Sequence, residues 1–148
     1  MWLFVSASLR YLFASFSGQR EFLRRVRNMQ NEEQIWDLVD KKKDLFIALA
    51  DRVFDTPETL YTEFESVAEH IKALYAEGFS VTEGACGMPT AVTGDAGDEG
   101  PLIGIMGEFD ALPGLSQQPG VAEHSPIEQG GHGHGCGHNL LGAASLLA

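Results

Sequence analysis

No lysine or arginine follows Lys72, and residues 29–148 carry five basic against twenty acidic side chains. Nucleic acid is therefore not expected as a partner, because its phosphates favour a basic surface. Any grip on an anionic substrate has to come from histidines, backbone amides or other protein. Cysteine is equally sparse. Cys86 and Cys136 are the only two, too few for the disulfide framework of a small secreted domain, so a reducing, cytoplasmic setting is the simpler expectation. Nowhere do apolar residues run on for the roughly 20 positions that a membrane span needs. What is present suffices for about one domain: 148 residues, 44% of them apolar.

Residues 1–28 differ in composition from the rest, with five arginines, no acid before Glu21 and an apolar run split by Arg10. This is a transit-like extension or, with Met29 as the natural start, a non-native upstream stretch; the lack of a basic leader before the apolar run argues against a secretory signal. From residue 31 to 54 the spacing of Ile35, Trp36, Leu38, Val39, Leu45, Phe46, Leu49 and Val53 predicts a helix capped by Asn31, with Lys41, Lys42 and Lys43 on a wet face. Thr56-Pro57-Glu58 starts a second helix, with Leu60, Phe64, Val67, Ile71 and Leu74 on its apolar side and Gly78 closing it. His70 lies beside that stripe, in a surface or core-edge role.

Past Gly78 the period changes. Residues 79–82 and 90–93 read as short strands, 94–100 as an exposed turn, and 102–106 as a strand buried in a sheet. Cys86 is expected to be structural. The buried strand runs into Gly107-Glu108-Phe109-Asp110-Ala111-Leu112-Pro113-Gly114. Glu108 and Asp110 share one side of an extended backbone, at the carboxyl end of a strand where α/β folds collect their sites.

The densest chemistry comes next. Residues 130–138 hold three of the five histidines and Cys136, separated only by glycine. In extended backbone Cys136 and His138 project to the same side, so a thiolate and an imidazole can meet one cation, at typical Zn²⁺ distances of about 2.3 and 2.0 Å. Ca²⁺, which prefers hard oxygen donors, fits poorly. Asp110 and Glu108 are then candidate acceptors for the second nitrogen of a ligating imidazole, the contact that orients such ligands. Asn139 is a good cap for the apolar helix that follows, and that helix breaks off at Ala148 without cap or charged last turn, which implies a fragment. The plainer reading, a flexible Gly/His loop around an ordinary cysteine, stays open at this point.

Two blocks in order, Gly107-Glu108-Phe109-Asp110-Ala111-Leu112-Pro113-Gly114 and Gly133-His134-Gly135-Cys136-Gly137-His138-Asn139, resemble the aminoacylase and metallocarboxypeptidase type of amidohydrolase. The branch most similar is that of the p-aminobenzoyl-glutamate hydrolase B subunit, with relatives that cleave N-acyl amino acids, auxin conjugates and dipeptides. The likeness covers residues 29–148. It implies an α/β fold, the N-terminal part of a zinc-peptidase-like catalytic domain, with two helices followed by a mixed sheet and truncation before the lid domain used for dimerisation. It also implies a two-metal centre holding Mn²⁺ or Zn²⁺, with Cys136 and His138 as ligands and Asp110 in an orienting role. Glu108 stands where the carboxypeptidase branch has a histidine ligand, and His134 matches a motif histidine, as ligand or as a loop-positioning group. His124 and His132 have no motif assignment. The implied activity is metal-dependent hydrolysis of a small-molecule amide, in a homo-oligomer when full length; the isolated chain, lacking further ligands and a general base, is expected to be inactive. The alternatives are a non-catalytic metal-binding module built from Cys136, His138, His134 and His132, or an interaction fragment.

Overall fold

The computed structural model describes residues 3–8, 32–98 and 100–148. Apart from residues 3–8, the N-terminal extension lies outside them, as does Asn31, the expected first cap. In chain order the elements are β1 (Leu3–Ser8), α1 (Glu32–Asp55), α2 (Phe64–Ala76), β2 (Ser80–Glu83), β3 (Val92–Ala96), β4 (Leu102–Gly107) and α3 (His138–Leu147). The class is α/β, as expected. The order differs in one respect, because a strand precedes the two helices and joins the sheet.

That sheet has the order β2-β3-β1-β4. β2 and β3 are antiparallel, β1 runs parallel to β3, and β1 and β4 are antiparallel. α2 packs on β2 and β3, α3 packs on β4 and β1, and α1 lies against α2 and α3. The core sits where these surfaces meet: Phe46, Leu49, Ala50 and Val53 of α1, Val67, Ala73 and Leu74 of α2, Ala143 and Leu146 of α3, with Ala91, Val92 and Phe109. On α1 these residues recur at intervals of three and four, so one face of the helix is apolar throughout its second half. Its first half is different. Ile35, Trp36, Leu38 and Leu45 continue the pattern but are exposed, because no described residue packs over them.

Three expected boundaries move for identifiable reasons. Residues 56–63 are turns instead of helix, and Glu58 reaches forward to accept from the amides of Glu65 and Ser66 at 3.0 and 2.8 Å and from the Ser66 hydroxyl at 2.8 Å. A carboxylate from outside α2 thus satisfies donors that its first turn leaves unpaired. β3 continues to Ala96, three residues into the stretch read as a turn. β4 is an edge strand with Leu102, Ile103 and Met106 exposed, so its apolar run does not mark a doubly covered strand. Cys86 is also exposed, in a single 3-10 turn at φ 56°.

Among the described residues no helix is long and apolar enough to cross a membrane.

Candidate metal centre

The residues after β4 are held from two sides. The Ala111 amide donates to the Glu58 carbonyl at 2.7 Å, and Leu112 and Gly133 exchange amide-to-carbonyl bonds at 3.0 Å each. That second pair draws the glycine-histidine loop alongside the strand-end carboxylates, although about twenty residues separate them in sequence. The loop then turns at Gly137, whose amide donates to the His134 carbonyl at 2.9 Å. Gly137 has φ 79°, left-handed backbone that an L side chain rarely adopts. Its carbonyl accepts from the amides of Leu140 and Leu141 at 3.0 Å each, so α3 begins here.

Asn139 is not the cap. It is buried, and its side-chain amide donates to the Ala50 carbonyl of α1 at 3.2 Å. His134 does a similar job one turn further on, with Nε2–H donating to the Val53 carbonyl at 3.0 Å. Val53 lies in the last turn of α1, and its carbonyl also accepts from the Thr56 amide at 3.2 Å. Burial pushes the His134 imidazole below its ordinary pKa; the Val53 carbonyl opposes this, nearby His138 lowers it further and Asp110 raises it. Of the two roles open to His134, the structure shows the positioning one. Asn139 and His134 together pin both flanks of Cys136 and His138 onto α1.

Between those pins, the His138 ring lies between two carboxylates. Nδ1 is 2.9 Å from Asp110 Oδ1, and Nε2 is 3.2 Å from Glu108 Oε2. Ligand-type atoms of these three residues all lie within 4.8 Å of one another. All three side chains are partly or largely withdrawn from water. The short Nδ1 contact fixes the ring by its proximal nitrogen, leaving Nε2 and Glu108 facing each other across a gap that a proton or a cation can bridge. Imidazole and carboxylate donors suit Zn²⁺ and Mn²⁺, so the residues present fit a divalent metal.

Cys136 is exposed and is not part of this group. His132 and His124 lie outside it as well. With His134 turned to Val53, the structure does not gather Cys136, His138, His134 and His132 into one closed site.

Glu108, named from sequence with Asp110 as a candidate acceptor, enters the cluster as the carboxylate facing His138 Nε2. One contributor was given no place in the site by sequence. His70 is fully buried and stacks on Phe109, between the two carboxylates in sequence, with ring centroids 4.4 Å apart. It lies in the middle of the buried side of α2, with Ser66, Val67, Ala73 and Leu74, and not at its margin. Gly142 makes room for it, since a Cβ there would come 2.7 Å from His70 Nε2 and 3.0 Å from the Glu108 carbonyl.

No protein-family model matches the chain. Among curated proteins it is 43% identical over 113 residues to the B subunit of p-aminobenzoyl-glutamate hydrolase from Escherichia coli (strain K12), covering 76% of this chain and 23% of that one. The likeness is to an amidohydrolase and peptidase family. Thermostable carboxypeptidase 2 of Saccharolobus solfataricus is 34% identical over 128 residues, covering 75% of this chain and 31% of its own. N-acetyl-L-cysteine deacetylase of Bacillus subtilis (strain 168) is 33% identical over 129 residues, with 82% and 30% covered. The chain therefore spans between 23% and 31% of the length of these family members.

Proposed function

We propose that these residues belong to a metal-dependent hydrolase that cleaves the amide bond of N-acyl amino acids, aminobenzoyl-glutamate-like conjugates or dipeptides. The observation that carries this reading is the His138 imidazole set between Glu108 and Asp110, in a chain whose relatives are named as hydrolase, carboxypeptidase and deacetylase. His138 would hold the metal through Nε2, with Glu108 as the facing carboxylate and Cys136, two positions away, as the thiolate. Asp110 holds the ring by accepting from Nδ1–H, which keeps Nε2 directed outward. A divalent ion bound there, Zn²⁺ or Mn²⁺ and one of two in a two-metal centre, supplies Lewis-acid polarisation of an amide carbonyl and a bound water with pKa near 7. Leu112, Gly133, His134 and Asn139 keep the carboxylates and the Cys-Gly-His turn in register. The whole protein is proposed to act in the cytoplasm on a small-molecule amide, as a homo-oligomer, without a nucleic-acid or membrane partner. Residues 29–148 form the first portion of its catalytic domain in this reading, residues 1–28 being an added segment.

Titration of the chain with Co²⁺, read by visible absorption, tests the ligand set. His138→Ala is expected to lower affinity by at least tenfold, and Asp110→Asn by roughly 10- to 100-fold, the usual cost of losing an orienting partner. Cys136→Ser should remove the thiolate-to-cobalt band. Unchanged affinity in His138→Ala would overturn the proposal.

A further inference from the structure

Three residues of α3 recur at the spacing of one helical face: His138, Gly142 and Ser145, at i, i+4 and i+7. Opposite them, the chain runs from the end of β4 into the site as Met106-Gly107-Glu108-Phe109-Asp110. The two segments pass each other closely and in opposite order. Ser145 Oγ donates to the Met106 carbonyl at 3.0 Å. Gly142 faces the Glu108 carbonyl and Phe109, and His138 stands between Glu108 and Asp110.

Glycine on both sides makes this approach possible. A Cβ on Gly142 would lie 2.7 Å from His70 Nε2, 3.0 Å from the Glu108 carbonyl oxygen and 3.2 Å from Phe109 Cβ. One on Gly107 would lie 2.6 and 2.8 Å from Ser145 Oγ and Cβ, and 3.1 Å from the Leu141 carbonyl oxygen. All of these fall inside the 3.4 Å at which ordinary contact begins. Little around Gly142 can yield. The His70 ring is buried, bonded to the Ser66 carbonyl and stacked on Phe109, and the Glu108 oxygen is backbone. Gly107, Gly142 and Ser145 are themselves buried. Nor does Gly142 serve the helix as such, since alanine is more favourable in a helix interior.

We propose that Gly107 and Gly142 are positioning residues, a two-point seat that sets the distance of α3 from the end of β4 and thereby holds the His138 ring between Asp110 and Glu108. Gly142 lies about one turn from His138 on the same face. A methyl group there pushes α3 outward, because the helix is the one party to the contact that is free to move. The ring, carried by the first residue of α3, then withdraws from both carboxylates. The seat concerns contacts within this chain; its effect on a bound ion rests on the reading of the site as a metal centre.

Crystal structures of the full chain without metal, with Co²⁺ titration of the same variants, test it. In Gly142→Ala the separation of His138 Nδ1 from Asp110 Oδ1, 2.9 Å in the parent, is expected to exceed about 3.5 Å, past hydrogen-bond reach. Cobalt affinity is expected to fall roughly tenfold or more, while helix content by circular dichroism is kept. A glycine that matters to stability alone would move neither the separation nor the affinity of the folded chain. An unchanged separation in folded Gly142→Ala, or unchanged affinity where the parent binds cobalt, would overturn the seat. Should that variant not fold, the second point decides. Gly107→Ala is expected to lengthen the same separation, and adding Ser145→Gly, which removes the two closest atoms in its way, to restore it; a pair that fails to restore it would refute the seat. A parent chain that takes up no cobalt would count against the metal reading, and the crystallographic separations would then decide the seat by themselves.

Discussion

The His70 ring shows how far one buried residue is governed by its immediate neighbours. Its Nδ1–H donates to the Ser66 carbonyl at 2.8 Å, which leaves Nε2 bare, buried and without a partner. Burial drives its pKa down to about 4, against smaller opposing pulls from the Ser66 carbonyl and Glu69. In the unfolded chain the ring has its ordinary value of 6.5. Between those two values the unfolded state binds more protons, so the neutral ring contributes full stability above pH 6.5 and loses it as pH falls toward 4. The loss amounts to roughly 3 kcal/mol at about 1.4 kcal/mol per unit. Urea unfolding at pH 7, 5 and 4 is expected to show this acid weakening in the parent chain and a flatter profile in His70→Gln; parallel profiles would contradict it. His70 also shows why the site's support was hard to see in advance. Histidine at helical spacing with apolar residues belongs to a stripe or flanks it depending on a few tens of degrees, which only the packing against Phe109 and Gly142 decides.

At the level of elements, α2 has its first turn secured from outside. Glu58 meets three donors of residues 65 and 66 and gives its own carbonyl to the Ala111 amide. One residue therefore joins the start of a helix to the segment that bears Asp110. Glu58→Ala is expected to destabilise the chain by about 1 kcal/mol, within the roughly 0.5–2 kcal/mol of a lost helix cap, and to lower the thermal midpoint accordingly. Glu58→Gln, which keeps an acceptor oxygen, should recover part of the loss. No change on Glu58→Ala would mean that water replaces the carboxylate at no cost. The helices themselves were legible from their apolar spacing, as were β2, β3 and β4 from their short bounded runs. The start of α2 was not, because Thr56-Pro57-Glu58 has the composition of a helix opening while its carboxylate acts at a distance of seven and eight residues. Nor was the edge position of β4, since apolar composition cannot distinguish a strand covered on both faces from one whose cover lies elsewhere.

Over the whole molecule the charge is one-sided, with a formal net charge of −11. Ion pairs relieve part of it locally, Arg52 and Lys72 both meeting Glu69 at 2.6 and 2.5 Å and Lys42 meeting Glu77. Such exposed pairs each contribute at most about 1 kcal/mol, and the acids outnumber their partners. Salt screens attraction and repulsion alike, but repulsion is the stronger of the two in so acidic a chain, so the urea midpoint at pH 7 is expected to rise between about 0.02 and 0.5 M NaCl. A fall would show that the few pairs outweigh the surplus.

Sequence alone determined the kinds and order of most elements and singled out His138, Cys136, Asp110 and Glu108 as candidates, of which the structure brings His138, Asp110 and Glu108 together and leaves Cys136 exposed outside the group. Those follow from local periodicity and from donor atoms a fixed number of residues apart. Tertiary structure decided what local spacing cannot encode. It chose which histidines turn inward, brought Glu108 and Asp110 to opposite sides of the His138 ring, and placed residues 3–8 between two strands that follow each other in the chain. Each of these depends on backbone segments tens of residues apart satisfying one another's hydrogen bonds, and such pairings exist only once the chain has closed on itself.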